Sequence, residues 1–247
     1  MPEEVRRWVE ILFNVAYLIV LWGVGFAMSR RRPRVAPVDR RTADLVRWAF
    51  TLLAGGDTGH VGCRGLAYAL GGLETSLTVL GVQLGLVGLG ALATAVTVTL
   101  FYVLMLAVWQ ARYHKPYGWF GYLLLASAVA RLLLMIPAAN QWNNVVPPQP
   151  WSLYRNLPLM ILGLGVAYLF LRDARATQDR AFTWMGVMIL VSYACYIPVI
   201  LFVQQVPVIG MLMIPKTLAY VAIGFLAYQE LYAAKSVPAV EGALHTP

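Results

Sequence analysis

Apolar residues run along this chain in long blocks broken by short polar stretches, with no strand-like alternation as the dominant pattern. Several blocks approach or exceed the ~20 residues that an α-helix needs to cross a hydrocarbon core of ~30 Å. Their positions predict seven transmembrane helices at about residues 8–28, 44–73, 82–109, 118–137, 154–171, 182–203 and 208–230. The second block is interrupted by "AGGDTGHVGCR", residues 54–64. Neither half alone is long enough to cross, so the expectation is one crossing helix, broken or tilted at the Gly-rich segment. The fold class is therefore all-α: a polytopic seven-helix bundle in one domain, residues 1–235, followed by a flexible tail at 236–247.

Composition agrees with this picture. Only 12% of the 247 residues are charged, about half the share usual in soluble domains, and the mean hydropathy is +0.68. The first apolar block is too long for a cleavable signal and has no small-residue cleavage site before "RRRPR", so it reads as a permanent span. Cys63 and Cys195 both fall inside apolar blocks and read as buried free thiols.

The net charge of +8 is distributed among loops, with no basic domain and no aromatic-interleaved patch, which argues against nucleic-acid binding. It reports orientation instead. Placing Arg30, Arg31, Arg32, Arg34, Arg40, Arg41, Arg47, Arg112, Lys115, Arg172, Arg175, Arg180 and Lys235 on one side leaves only Arg6, Arg7 and Arg155 on the other. The positive-inside rule then puts the N-terminus outside and the C-terminus in the cytoplasm of a multi-pass cell-membrane protein.

Glycine and small residues recur at helical spacing in two blocks, Gly55, Gly59, Gly62, Gly65, Ala69 and Gly72 in one, Gly81, Gly85, Gly88, Ala91, Ala95 and Thr99 in the other. Such faces serve close helix packing in lipid, and no chemistry is assigned to them. The outer loop Asn140 to Asn156 combines tryptophans, amides, three prolines and Arg155. It reads either as an interfacial belt or as a lid whose amides and arginine meet a polar headgroup.

The candidate chemistry lies inside the spans. Asp57, His60, Arg64 and Tyr68 fall within about 80° of one another on a helix. At ~1.5 Å per residue, Asp57, Arg131 and Lys216 reach similar depth on three different helices. Each mid-bilayer charge costs ~2.5 kcal/mol or more, so these groups pair, line water or bind something. Cations exceed anions, and guanidinium suits carboxylate or phosphate.

The first reading is a polar cavity for a small anionic or amphipathic, lipid-like ligand. Asp57, His60 and Arg64 would form one wall, Arg131 and Lys216 the others, and Tyr154 and Arg155 the mouth. A second reading makes Asp57 and His60 the catalytic acid–base pair of an intramembrane lipid-modifying enzyme. A third is a small transporter or an accessory subunit of a membrane complex, partnered by another membrane protein or by a second copy. Three histidines, two of them at or beyond the membrane edge, leave too few ligands for a metal, and no cofactor fingerprint is present.

Overall fold

The computed structural model describes residues 3–79 and 82–233. Seven α-helices follow in order: α1 Glu3–Arg31, α2 Arg40–Ala69, α3 Leu86–Tyr113, α4 Gly118–Leu134, α5 Trp151–Ala176, α6 Arg180–Phe202 and α7 Met213–Leu231. The helical bundle expected from the apolar blocks is the observed architecture. Lys235 and the tail expected at 236–247 lie outside the described residues, as do the side chains of Arg6 and Arg7.

Among the described residues five helices are long and apolar enough to cross a membrane: α1, α3, α5, α6 and α7, the last with the 3-10 turn Pro207–Leu212 that leads into it. The chain is an integral membrane protein. Its outer surface fits that setting, since Leu12, Ile19 and Phe26, seven residues apart on α1, are each about two-thirds exposed. Such apolar exposure would be unfavourable in water and is normal against lipid. The remaining helices are α2, with 30 residues, and α4, with 17. Asp39, just before α2, bonds Arg112 near the end of α3 (2.9 Å), while Asn140 and Trp142 bond the carbonyls of Leu134 and Met135 at the far end of α4 (2.7 and 3.0 Å).

Ion pairs gather at one end of the bundle. Arg112 reaches Asp39 at 2.9 Å, Asp179 at 3.0 Å and Glu230 at 3.2 Å, tying the α1–α2 connection, the α5–α6 connection and the end of α7 to α3. Lys115 and Arg172 both hold the buried Asp173, which also accepts from the Trp109 indole. Asp179 caps α6 by accepting from the Phe182 amide, satisfying an amide that no helical carbonyl can reach. This is the end that carries the arginine-rich connections.

The Gly-rich segment does not interrupt α2, which is continuous from Arg40 to Ala69. Glycine disfavours helix by ~1 kcal/mol in water, but here tight packing against α3 holds the helix together. A β-carbon on Gly56 would collide with the Thr97 hydroxyl, and one on Gly90 would sit 2.9 Å from the His60 Cα. The second helix thus spends its small residues differently from the expected face. Gly56 makes the closest approach, Gly59 an ordinary contact with Ala93, and Gly55, Gly62 and Gly65 face open space.

A second departure lies between α2 and α3. Ser76–Val79 and Val82–Gly85 pair as antiparallel strands β1 and β2, Ser76 opposite Gly85, so the third span begins at Leu86 rather than at 82. Gly85 and Gly88 admit the backbone of Asn143 and Trp142, not another helix. The Asn143 side chain accepts from the Gly85 amide and donates to the Gln83 carbonyl, fastening the 140–150 connection to the hairpin. The core itself is aromatic at mid-height, where Phe101 meets Phe50, Tyr102 and Tyr220 edge-on with centroids 5.2–5.5 Å apart, the geometry favoured by ring quadrupoles.

Candidate functional site

A cavity of about 440 Å³ opens between α1, α2, α3, α6 and α7. Four of the residues singled out from sequence share its wall: Asp57, His60 and Arg64 on α2 and Lys216 on α7. The helical spacing explains the first three, since positions i, i+3 and i+7 lie on one face. Lys216 enters because α7 starts at Met213 only after the 3-10 turn Pro207–Leu212, which places the lysine in the first helical turn. Counted from the ion-paired end, Asp57 stands about 25 Å and Lys216 about 22 Å up their helices. The rest of the wall is mostly apolar, including Phe13, Leu53, Val98, Val199 and Ile214.

The carboxylate in this cavity is already served. Tyr17 from α1 donates to Asp57 Oδ2 and Thr94 from α3 donates to Oδ1, both at 2.7 Å. Among the described residues no cation lies within 4 Å of it. Nor does His60 bond it: the His60 Nδ1 is buried with no hydrogen-bond partner. Asp57 and His60 therefore share a wall without forming a bonded pair.

The Lys216 ammonium has no carboxylate within 4 Å among the described residues, although the charge of Asp57 acts on it from farther away. It lies over two aromatic faces instead, 4.8 Å from the centroid of Tyr196 and 5.1 Å from that of Tyr220. Ring faces attract a cation, by more when water is excluded, yet they leave its N–H donors unused. Tyr220 is held by a hydroxyl–hydroxyl bond to Tyr102 (3.0 Å) and Tyr196 by donation to Asn156 Oδ1 (3.1 Å). The cage is therefore anchored by hydrogen bonds from α3 and α5.

The other sequence candidates are elsewhere. Arg131, in the last turn of α4, is 2% exposed and is not part of the cavity wall. Its depth matches, but α4 stands on the far side of the bundle, beyond Tyr196. Tyr154 is nearly half exposed and meets Trp151 edge-on, away from the cavity. Arg155 is buried under the 140–150 connection, with its guanidinium 4.2 Å above the Trp142 ring and donating to Asn140 Oδ1 at 3.3 Å. The expected mouth of Tyr154 and Arg155 is thus replaced by a packed plug that closes the α3–α4–α5 side. Tyr68, fourth on the α2 stripe, is also absent from the cavity wall.

Sequence reasoning missed Tyr17, Thr94, Tyr196 and Tyr220, which complete the site from α1, α3, α6 and α7. Among the described residues no cluster of three His, Cys, Asp or Glu could hold a metal ion, and both cysteines are free and half-buried. In comparisons with known proteins, no family model, no curated protein and no solved structure matches the chain.

Proposed function

We propose that this cell-membrane protein binds a small anionic, amphipathic ligand in the cavity, with the acidic group at Lys216 and Arg64 and the apolar body along α1, α6 and α7. The observation that carries the reading is an imbalance of partners. Asp57 is engaged by two neutral hydroxyls and makes no ion pair within 4 Å to Lys216 or Arg64 among the described residues, so the N–H donors of both cations remain for an incoming anion. In a low-dielectric site a charge-assisted hydrogen bond to such an anion is about twice as strong as a neutral one. A volume of about 440 Å³ falls in the lower half of the ~300–1,000 Å³ range of ligand pockets. It suits a headgroup with a single chain better than a whole two-chain lipid.

Decanoate is a suitable probe, carrying one carboxylate and one short chain. Purified protein in a non-ionic detergent should gain thermal stability with decanoate, and native mass spectrometry should show one bound copy. Lys216→Met, which keeps apolar bulk beneath Tyr196 and Tyr220, should abolish the gain, and Arg64→Gln should weaken it. Arg175→Gln, an exposed charge at the ion-paired end, serves as control. Equal stabilisation of all four proteins would remove the basis for this reading.

A further inference from the structure

We propose that Arg131 forms a second, occluded oxyanion site, separated from the cavity by Tyr196 and filled by a carboxylate or phosphate group that enters past that ring. Arg131 is 2% exposed. Its Nε and Nη1 are enclosed without an acceptor, and none of its nitrogens donates to a described residue. A guanidinium stays charged in proteins and presents five N–H donors in a fixed fork. Buried charges are ordinarily paired, so this one is built to meet an acceptor that the chain itself does not supply.

The surroundings define that acceptor. Burial acts most strongly on Arg131, and the ionisable side chains near enough to couple with it are tyrosines, namely Tyr196, Tyr193, Tyr220 and Tyr102. Each is committed to another bond: Tyr193 to the Leu159 carbonyl (2.8 Å), Tyr196 to Asn156, and Tyr102 and Tyr220 to one another. A forked cation with unused donors among tyrosines matches the planar two-oxygen face of a carboxylate or phosphate. The charges of Asp57 and Arg131 both act on Lys216, the carboxylate more strongly. Two like charges in a low-dielectric interior repel, and an oxyanion beside either relieves the repulsion.

Tyr196 is the element shared by both sites. Its ring lines the cavity and covers the Lys216 ammonium, while the charges of Arg131 and Arg155 also reach it. One interhelical bond, to Asn156 on α5, fixes its hydroxyl. Pro198 lies inside α6 two residues further on, and Pro158 lies inside α5 two residues beyond Asn156. Each proline removes a helical hydrogen bond, to the carbonyls of Ala194 and Tyr154 respectively, and bends the helix there. The latch therefore joins two turns whose backbone ladders are both interrupted, which is where a side chain can swing with least disturbance.

The test uses the full chain in detergent with two probes, radiolabelled inorganic phosphate as a free anion and dihexanoyl phosphatidate as a headgroup. Bound phosphate that exchanges slowly is expected on the wild type. Arg131→Gln should lower its affinity about tenfold or more, and Arg131→Lys, which keeps the charge without the fork, should lie between. Tyr196→Phe keeps the ring over Lys216 and deletes the latch, so it should speed exchange about tenfold with little change in affinity. Arg131-dependent binding of phosphate assigns the site to a free anion, and Arg131-dependent binding of phosphatidate alone assigns it to a headgroup. Binding of either probe that is indifferent to Arg131, or no binding of either, overturns the site; unchanged exchange in Tyr196→Phe overturns the gate. Decanoate reports the cavity separately, so a loss there with Arg131-dependent phosphate binding intact sinks only the cavity reading.

Discussion

The two ends of this bundle treat charge in opposite ways. At the arginine-rich end every buried or half-buried carboxylate has a cation: Arg112 joins Asp39, Asp179 and Glu230, and Asp173 takes Lys115 and Arg172. In the other half, the carboxylate is satisfied by hydroxyls and the cations Arg64, Lys216 and Arg131 are left without carboxylates within 4 Å among the described residues. Charges that hold a structure together are matched within the chain, because an unmatched one in a poorly solvated place is costly. Charges left unmatched at depth are what a binding site requires. On the binding function proposed above, the same residue type has two roles, told apart by its partners and not by its depth.

The contrast can be broken at its strongest point first. Arg112→Ala should destabilise the protein by about 3 kcal/mol, since it removes the one cation that joins three carboxylates from separate elements; a melting temperature lowered by several degrees checks it, and an unchanged one would deny the paired end its structural role. Arg131→Met is expected to act in the opposite direction. Replacing an unmatched buried charge by an apolar side chain of similar length should stabilise the ligand-free protein by about 1–2 kcal/mol, and a fall in melting temperature would make Arg131 a structural member. Lys216→Met should change the stability of the ligand-free protein by less than about 1 kcal/mol, because lost attraction to Tyr196 and Tyr220 offsets the removed charge burial. Its effect should instead appear as loss of decanoate stabilisation. The smallest change belongs to Arg32→Ala, whose pair with Asp44 sits at the surface. Exposed pairs are screened, so its melting curve should superimpose on the wild type at physiological salt, and a clear shift would extend the structural network to the α1–α2 connection.

Much of the site was legible because helices convert spacing into direction. Asp57, His60 and Arg64 repeat at i, i+3 and i+7, and all three reach the cavity. Depth was legible for Lys216 and Arg131 from residue counts alone. Depth says nothing about which side of the bundle a helix occupies, and that is where the expectation for Arg131 went astray, because α4 packs against α3 and α5 and not beside α7. Arg155 failed for a related reason: its charge suggested a mouth, while Asn140 and Trp142, at the start of the same connection, fold back to cover it. The hairpin at 76–85 was hidden by its hydropathy, although the alternation of Ser76 and Thr78 with Leu77 and Val79 carried a period-two signal.

Sequence alone determined that this chain is a helical membrane bundle, because the length of an apolar block and the rarity of charges are set by the thickness and dielectric of lipid. It also determined that Asp57, His60 and Arg64 share a face, because 3.6 residues per turn is a property of every α-helix. Tertiary structure alone decided that Tyr17 and Thr94 satisfy Asp57, that Tyr196 and Tyr220 cage Lys216, and that Arg131 stands behind Tyr196. Tyrosines and threonines are unremarkable within apolar spans, and their roles depend on the rotation of each helix about its axis. That rotation is set by side-chain packing between helices distant in the chain, such as Gly56 against Thr97 and Gly90 against His60, and no local pattern encodes it.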